Sequence, residues 1–431
     1  MDNNISLEKF AYIDDLTGLK NKHSLIRDCE SKKLEDIHFI CIDLWNFKKI
    51  NQIMGYNAGD DILQNISEKL INFCGKSEVY RISGDTFILL TENEFLCDPS
   101  VLDKLFNSPF KHSDVQFMIN ARVAVLDYGE FESSSIKEVL MLFDYALADA
   151  KAKKINGVIE VHKNIQEAFL EKREIEKHFF DGVQRDKFFP KFHPFIDTFT
   201  NEVVGFETVS RWVFYDKTIR PVQFLPIAIY TGLIFDIECK MFRETCKLLS
   251  ELKNNKQFKL SKGFKAALNF TIQTLSRIEI NDLLKVLNKY KLSAKEIIIE
   301  LHEEFIEEDN STEKIRELRD AGFYIVLDSY STKNSSLCYL ADAGVNAIKL
   351  DKALLERIDQ DPEYRRMHSV YSFMTELANK IDIRVISDGI SSVSNIDMVK
   401  DLGINIGIGP YYSKPIMKEE FIEKFFVNWK N

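Results

Sequence analysis

Several features that would mark a function class are missing from this chain. The 431 residues carry a net charge of −10, so the chain as a whole lacks the basic excess typical of nucleic-acid-binding proteins. Its seven cysteines are odd in number and form no Cys-x-x-Cys pair, which favours reduced thiols over a disulfide framework. An anionic ligand would therefore need a local basic pocket.

A long apolar run is also missing. The longest uncharged stretch, around residues 224–235, is too short to cross a bilayer and contains Pro226 and Gly232. Residues 1–10 are polar and do not resemble a secretory signal. We therefore expect a soluble cytoplasmic protein with neither a membrane-spanning segment nor a nucleic-acid partner.

The chain is long enough for two or three domains, and its hydrophobic content of 45% supports substantial cores. In the first half, residues 38–43 predict a strand, and residues 78–82 and 87–90 predict a β-hairpin around a Gly-containing turn. Strands and helices mixed in this order predict a ferredoxin-like α+β domain over residues 1–158.

A helical linker is expected next, and a second domain after it. Residues 159–180 are charged, contain no proline and place apolar residues at helical spacing, which favours a rigid linker over a flexible one. From residue 181 to residue 431, short apolar runs alternate with helical segments. Buried parallel strands have such continuous apolar runs. This pattern predicts a TIM-like (β/α) barrel.

Six of these apolar runs carry a polar or charged residue near their end. The carboxyl ends of barrel strands converge on one mouth, so these side chains are expected to meet. Acidic residues also occur at strand ends by chance, but six in succession at strand–helix spacing are harder to attribute to coincidence. The six residues are Glu207, Asn269, Glu300, Asp328, Lys349 and Asp388.

The chemistry of this set points to a metal site. Carboxylate and amide oxygens form the hard, oxygen-rich cage that Mg²⁺ or Mn²⁺ prefers. A lysine beside such a cage, here Lys349, can orient water or a phosphate oxygen. The sequence therefore predicts metal-assisted phosphoester chemistry.

Motifs in both halves resemble one family. Residues 14–22 are DDLTGLKNK, residues 83–87 are SGDTF, and residues 207–212 are ETVSRW. The first two motifs resemble a GGDEF domain, the diguanylate cyclase module, and the third resembles an EAL domain, the cyclic di-GMP phosphodiesterase module. The resemblance runs in tandem from Tyr12 to Pro415, with degenerate motifs in both domains.

In the GGDEF-like half, the resemblance implies that Asp43 and Asp85 hold a metal ion and that Asn51 and Asp60 contact a guanine base. The signature at residues 83–87 departs from the family. Its serine replaces a glycine whose backbone approaches the triphosphate closely, and its threonine removes a carboxylate. We expect this half to be inactive as a cyclase, while GTP binding is left open.

In the EAL-like half, the resemblance assigns the first metal to four residues. It also implies that Lys349 helps to activate water and that Glu303 anchors a loop over the metals. Contacts to the ligand are expected from Arg211, Glu207 and Asp388. Arg211 is suited to this role because the planar guanidinium of an arginine matches phosphate oxygens. The four residues of the first metal are Glu207, Asn269, Glu300 and Asp328.

Departures from the EAL pattern lie on the other side of the site. Ser329 replaces the second aspartate of an acidic pair, Asp388 replaces a glutamate, and Ile408 replaces a glutamine. Ser331 and Lys333 replace two glycines of the loop that couples dimerisation to metal binding in the family. One Mg²⁺ or Mn²⁺ ion, rather than two, is the expected cofactor of this site. Whether the chain forms a homodimer is left open.

Three functions remain open from the sequence. The first is a receptor that binds cyclic di-GMP, or another cyclic dinucleotide, without efficient hydrolysis. The second is a slow phosphodiesterase that yields linear dinucleotide. The third is a pseudoenzyme that acts through a protein partner, for which Ile229 and Tyr230 stand where the family has an acidic residue, although core packing also explains Ile229.

Overall fold

The computed structural model describes residues 11–106, 109–112, 115–131, 134–153, 155, 157–302, 311–330, 340, 344–360 and 365–429. The chain forms two compact units, Met1–Glu174 and Ile175–Asn431. Among the described residues, no helix is both long and apolar enough to cross a membrane.

The first unit is built around a mixed sheet with the strand order β1-β3-β4-β2-β7-β8 and carries a separate hairpin of β5 and β6. Its strands are β1 (Lys20–Asn21), β2 (His38–Leu44), β3 (Val79–Ser83), β4 (Thr86–Thr91), β5 (Phe110–His112), β6 (Val115–Phe117), β7 (Ala121–Asp127) and β8 (Val158–Glu160). Its helices are α1 (Lys22–Ser31), α2 (Phe47–Met54), α3 (Tyr56–Cys74), α4 (Pro99–Phe106) and α5 (Ile136–Ala152).

Both faces of this sheet are covered, as the central strand β2 shows. Phe39 and Cys41 point into one apolar cluster, while Ile40 and Ile42 point into another. Alternate side chains of a strand face opposite sides, so the continuous apolar run of β2 follows from burial on both faces. The α+β fold predicted from the sequence is confirmed.

A long helix, α6 (Lys163–Gln184), follows β8. Phe169 belongs to a core cluster of the first unit, and Ile175 and Phe179 belong to a cluster of the second. Gly182 lies against Trp212, whose Nε1 would be 2.5 Å from a Cβ atom at that position. A larger side chain there would displace the indole. The domain bounds expected from the sequence stay a prediction.

The second unit contains a closed barrel of eight strands, because β9 pairs with both β10 and β17. β9 is antiparallel to both neighbours, and the other barrel pairings are parallel. A short strand, β11 (Lys217–Ile219), extends the sheet beyond β10. The barrel strands are β9 (Phe188–Asp197), β10 (Val203–Phe214), β12 (Lys265–Asn269), β13 (Ile297–His302), β14 (Tyr324–Tyr330), β15 (Ala347–Leu350), β16 (Arg384–Ser387) and β17 (Ile406–Gly407).

Helices follow most of these strands, which confirms the predicted TIM-like barrel. They are α7 (Pro221–Tyr230), α8 (Ile234–Asn254), α9 (Ile272–Leu275), α10 (Ile280–Tyr290), α11 (Ser311–Asp320), α12 (Lys352–Gln360), α13 (Arg365–Lys380), α14 (Val393–Asp401) and α15 (Lys418–Ile422).

The interior of the barrel is closed by one layer of apolar side chains. A core cluster separate from the main one gathers one residue from nearly every strand of the barrel, which is typical of layered barrel interiors. Ile408 belongs to it and is fully buried. The isoleucine that stands in place of the family's glutamine therefore packs in this layer. The layer consists of Phe195, Ala267, Ile298, Val326, Ala347, Ile386 and Ile408.

Candidate functional site

Five of the six residues predicted from strand ends come two positions after a residue of the apolar layer. The sixth, Glu207, lies at the same level of the barrel as these five. Asn269 follows Ala267, Glu300 follows Ile298, and Asp328 follows Val326 at the strand period of two. The same spacing relates Lys349 to Ala347 and Asp388 to Ile386. The five strands named here thus each contribute one apolar side chain to the closed layer and, on the strand or just beyond its end, one polar side chain above it.

Three carboxylates meet at this level. One oxygen from each of Glu207, Glu300 and Asp328 lies within 4.8 Å of the other two. Asn269 joins them, because its Nδ2 lies 2.9 Å from Glu207 Oε1 and 3.2 Å from Glu300 Oε2. We refer to these three carboxylates as the acidic cluster. The structure therefore brings together all four residues that the resemblance assigned to the first metal.

Lys349 extends into the acidic cluster. Its Nζ lies 2.7 Å from Glu300 Oε2, 3.2 Å from Asp328 Oδ1 and 3.5 Å from Glu207 Oε1, and its side chain is 2% exposed. Burial alone would lower the pKa of Lys349, but the surrounding carboxylates outweigh burial and raise it. The lysine is therefore a permanent cation at the centre of the site.

One lysine does not balance three carboxylates. Burial raises the pKa of Glu300 well above its usual range, and burial also raises the pKa of Asp328. Without a further cation, a proton on Glu300 relieves the excess negative charge. A second positive charge would have the same effect, which is the electrostatic condition for a metal site.

The donor set fits a hard divalent ion. Among the residues that the structure describes, no side chain or backbone group forms a hydrogen bond with the buried Glu300 Oε1. A buried acceptor in that state costs about 1–3 kcal/mol, which a cation would recover. Asn269 presents its amide nitrogen to the carboxylates, and rotation about its Cβ–Cγ bond would present the oxygen instead. Carboxylate and amide oxygens favour Mg²⁺ or Mn²⁺ over softer metals.

The position after Asp328 holds a serine. Ser329 follows Asp328 in an irregularity of β14 and has a φ of +55°, in the left-handed region. Its backbone N–H donates to Asp328 Oδ1 at 2.7 Å. Bulges beside active sites commonly aim a side chain, and the side chain placed here is a hydroxyl rather than a second carboxylate.

Asp388 lies outside the acidic cluster of the described residues. Burial raises the pKa of Asp388 to about 7, although Lys349 opposes the shift. This shift shows that Asp388 feels the charges of the site. An aspartate is one methylene shorter than the glutamate of the family, which is consistent with its separation from the three carboxylates.

A cavity of about 590 Å³ opens beside the acidic cluster. Its lining includes Glu207, Asn269 and Asp328 of the site. Apolar side chains line it as well, and we refer to five of them as the apolar wall: Leu225, Ile229, Ile234, Met241 and Ile272. Ile229 thus faces the cavity instead of serving only as core packing, while the adjacent Tyr230 is 92% exposed. A cavity lined by both ionic and apolar side chains suits a ligand that has phosphates and aromatic bases.

Arg211 shares the strand face of Glu207, because the two residues are four apart on β10. Burial lowers the pKa of Arg211, and Glu207 opposes that shift, which places the guanidinium within the field of the cluster. Its Nη1 donates to the carbonyl oxygen of Ser210 at 2.8 Å. The predicted Glu303, and the altered loop positions Ser331 and Lys333, lie outside the described residues.

Two further residues line the cavity and were not predicted. His302 is two positions beyond Glu300 and pairs with Asp328 between β13 and β14. The strand period of two could have identified it. Glu238 is buried near the start of α8, and its sequence neighbours give no signal of a functional site.

The predicted residues of the first unit are arranged more loosely. Asp43 ends β2, and Arg122 Nη1 lies 3.9 Å from its Oδ2. Burial raises the pKa of Asp43, and Asp85 adds to that rise. Asn51 Oδ1 is buried, has no hydrogen-bond partner among the described residues, and would lie 1.8 Å from a Cβ atom at position 59. A side chain at position 59 would therefore displace the Asn51 amide, and the adjacent Asp60 is exposed.

Known families match both units. Residues 176–415 match the EAL domain family, and residues 11–157 match the family described as diguanylate cyclase, GGDEF domain. The signalling protein YkoW of Bacillus subtilis is 24% identical over 98% of this chain and 54% of its own length. The cyclic di-GMP phosphodiesterase NbdA of Pseudomonas aeruginosa is 22% identical over 97% of this chain and 55% of its own length. The chain thus spans about half the length of these relatives.

Solved structures show the same fold. The S helix-GGDEF-EAL segment of Vibrio cholerae LapD, bound to c-di-GMP, has a TM-score of 0.60 at 18% identity and covers 95% of this chain and 98% of its own. The c-di-GMP complex of the PaMucR phosphodiesterase has a TM-score of 0.52 at 21% identity and covers 57% of this chain and 99% of its own. At these identities the likeness concerns the fold alone.

Proposed function

Because the chain belongs to the EAL family and carries a GGDEF domain ahead of its EAL domain, we propose that it is a receptor for cyclic di-GMP with a catalytically impaired EAL pocket. One observation carries the proposal. The acidic cluster and Lys349 are assembled, while the position beside Asp328 that would extend the cluster holds Ser329.

Loss of that carboxylate affects turnover more than binding. In two-metal phosphodiesterases the ions position the attacking oxygen and offset the charge that develops on the phosphate. A missing partner of this kind typically lowers the rate by about 10²–10³. Ground-state binding depends instead on Arg211, on the apolar wall and on the remaining cluster. A ligand can therefore be held in this cavity without efficient cleavage.

The residues of this chain have distinct roles in that proposal. Glu207, Asn269, Glu300 and Asp328 would hold one Mg²⁺ or Mn²⁺ ion, which supplies charge to a bound phosphate. Arg211 offers its fork to a phosphate oxygen. Lys349 keeps its proton and holds the carboxylates together. The wall formed by Leu225 and Ile229 gives the bases an apolar surface.

A slow phosphodiesterase is the second candidate. Glu300 Oε1 favours it, because this buried oxygen has no hydrogen-bond partner in the described part of the chain and is available to an ion. Lys349, within hydrogen-bond distance of Glu300, also remains placed to orient a water molecule. Under this alternative, solvent completes the coordination of a second, weakly held ion.

The GGDEF-like unit is proposed to be inactive as a cyclase and to act as a regulatory partner. Its signature residues 83–87 lack the glycine and the carboxylate of the family. Arg122 supplies Asp43 with a positive charge from the protein itself.

Calorimetric titration of cyclic di-GMP with Mg²⁺ or Mn²⁺ present, followed by chromatography of the same sample, tests the proposal. Binding with intact ligand supports the receptor, and Arg211→Ala should then abolish binding. Arg185→Ala is the matched control, because Arg185 is an exposed arginine of the same unit. Steady conversion to linear dinucleotide would support the slow enzyme. Absence of binding would overturn both and favour action through a protein partner.

A further inference from the structure

Two buried polar side chains lie on the inner face of α8. Glu238 and Thr245 are 6% and 0% exposed, respectively. They are seven residues apart, so they lie on the same side of the helix, two turns from each other. The proposed function assigns neither of them a role. Each contacts a residue close in sequence to a member of the metal site.

Glu238 holds the segment that leaves β12. Its Oε2 accepts hydrogen bonds from Thr271 N at 3.0 Å and from Thr271 Oγ1 at 3.1 Å. Thr271 is two residues beyond Asn269, and Phe270 N between them donates to the carbonyl oxygen of Glu300 at 3.0 Å. The backbone that follows Asn269 is therefore held by hydrogen bonds to both the Glu238 side chain and the Glu300 carbonyl oxygen.

The contacts of Glu238 are unusual for a buried carboxylate. The hydrogen bonds recorded for it among the described residues come from threonines, without a basic side chain. Burial raises the pKa of Glu238 to about 7, and the threonine hydrogen bonds only partly offset that rise. A carboxyl group kept at this position is poorly explained by stability alone.

Thr245 holds the strand that carries Glu207. Its Oγ1 lies 2.7 Å from Thr208 Oγ1 and 2.8 Å from the carbonyl oxygen of Met241. Thr208 is the residue after Glu207 and faces outward from the barrel, toward α8. The same helix thus contacts the strand of Glu207 and the segment after Asn269.

We propose that Glu238 and Thr245 are positioning residues that set the placement of Asn269 relative to Glu207. The Nδ2 atom of Asn269 lies 2.9 Å from Glu207 Oε1, so a small movement of either strand end would change the metal site. Substitution of residues that contact metal ligands without binding the metal themselves commonly lowers metal affinity by about 10–100-fold. This inference rests on the proposed function, because it concerns the metal site of the same pocket.

Mn²⁺ titration of the full chain without dinucleotide tests the inference. We expect Glu238→Ala to weaken Mn²⁺ binding by about 10–100-fold. Glu238→Gln keeps an acceptor oxygen for Thr271 and should recover most of the affinity. Thr245→Val should weaken binding by a smaller factor.

The matched control is Thr198→Val. Thr198 is also buried, and its Oγ1 donates to the carbonyl oxygen of Ile404 at 2.7 Å, at a strand connection outside the metal site. We expect it to lower the melting temperature about as much as Thr245→Val while leaving Mn²⁺ affinity unchanged. The inference would be overturned if Thr245→Val and Thr198→Val lost Mn²⁺ affinity equally. It would also be overturned if Glu238→Gln bound Mn²⁺ no more tightly than Glu238→Ala.

The outcome is separable from that of the proposed function. If the unsubstituted chain binds Mn²⁺ but not cyclic di-GMP, the receptor proposal fails and the positioning role is still tested by the same variants. If the unsubstituted chain does not bind Mn²⁺, the positioning inference is overturned. If Glu238→Ala does not fold, the contrast between Thr245→Val and Thr198→Val decides.

Discussion

The two units of this chain each place carboxylates opposite a cationic side chain, with different consequences. In the second unit, Lys349 is buried among three carboxylates and approaches one of them to 2.7 Å. In the first unit, Arg122 lies 3.9 Å from Asp43, whose side chain is 29% exposed. Charges in a buried site must be balanced within the protein, whereas water and salt balance an exposed pair.

The two sites differ in how the chain supplies their residues, and the barrel site retains more of its family's pattern than the site of the first unit. Separate strands of the barrel each supply a residue, so the change to Ser329 removes one carboxylate and leaves the other strand ends intact. In the first unit, Trp45 is two residues from Asp43, and its ring lies 4.9 Å from the Arg122 guanidinium carbon. Arg122 therefore contacts both an aromatic ring and the Asp43 carboxylate.

The largest effect should come from Lys349→Met. The buried Glu207 and Glu300 and the half-buried Asp328 would lose the lysine that lies among them. Removal of one partner of a buried pair typically costs about 3–5 kcal/mol. Urea unfolding of the second unit in chelator measures the loss, and added Mg²⁺ should restore part of it. Lys285→Met, at an exposed lysine, is the control, with an expected change within about 0.5 kcal/mol. A loss in Lys349→Met no larger than in that control would contradict the comparison.

Ser329→Asp should produce the next largest effect. It adds the carboxylate that the site lacks, and we expect hydrolysis of cyclic di-GMP to rise by about 10²–10³. Aspartate tolerates the left-handed backbone at this position. Chromatographic assay of linear product measures the change. Ser329→Asn has the same shape without the charge, and equal activity in both variants would rule out a metal-linked effect.

The contribution of a single carboxyl group to the pH dependence of stability should differ in sign between Asp388 in the second unit and Asp14 in the first. Asp388 has a native pKa of about 7, raised by burial, against about 4 in the unfolded chain. Its contribution to stability is therefore present below pH of about 4 and is lost as the pH rises toward 7, at up to about 1.4 kcal/mol per pH unit. Asp388→Asn should remove this loss, so above pH 7 the variant should be more stable than the unsubstituted chain.

Asp14 in the first unit should behave in the opposite way. Burial would raise its pKa, but hydrogen bonds from Thr17 and Arg81 outweigh burial and lower it. Its contribution is therefore present above the unfolded pKa and is lost as the pH falls. Asp14→Asn should destabilise the first unit at pH 7 and have little effect at acid pH. Denaturation at pH 4, 5.5, 7 and 8 in chelator checks both variants, and the same sign in both would break the comparison.

The smallest effect should come from Arg122→Met. A partly exposed pair at 3.9 Å together with one cation–π contact contributes about 1 kcal/mol. Urea unfolding of the first unit measures this loss, and we expect Mg²⁺ not to restore it. Restoration by Mg²⁺ would show that Asp43 and Asp85 still bind a metal ion.

The sequence predicted the barrel and the residues at its mouth for one physical reason. Parallel strands end on the same side, so Asn269, Glu300 and Asp328 had to lie near one another once their strands were identified. The burial of Ile408 could not be predicted from a match to a glutamine position. Neither could the role of Glu238, since a single acidic residue in an amphipathic helix is more often solvated. The Arg122–Asp43 pair depends on the antiparallel register of β2 and β7, which local patterns do not fix.

The closure of the barrel has a consequence for its synthesis. β9 is the first strand of the second unit, yet it completes the barrel by pairing with β17 through Ile196 and Gly407 and by a bridge between Phe192 and Ile416. A ribosome must therefore release the chain through Ile416 before this seam can form. Until then the nascent sheet has two open edges, to which other strands can add. The unit should consequently gain protease resistance in one late step of translation, and chains stopped before Ile406 should aggregate.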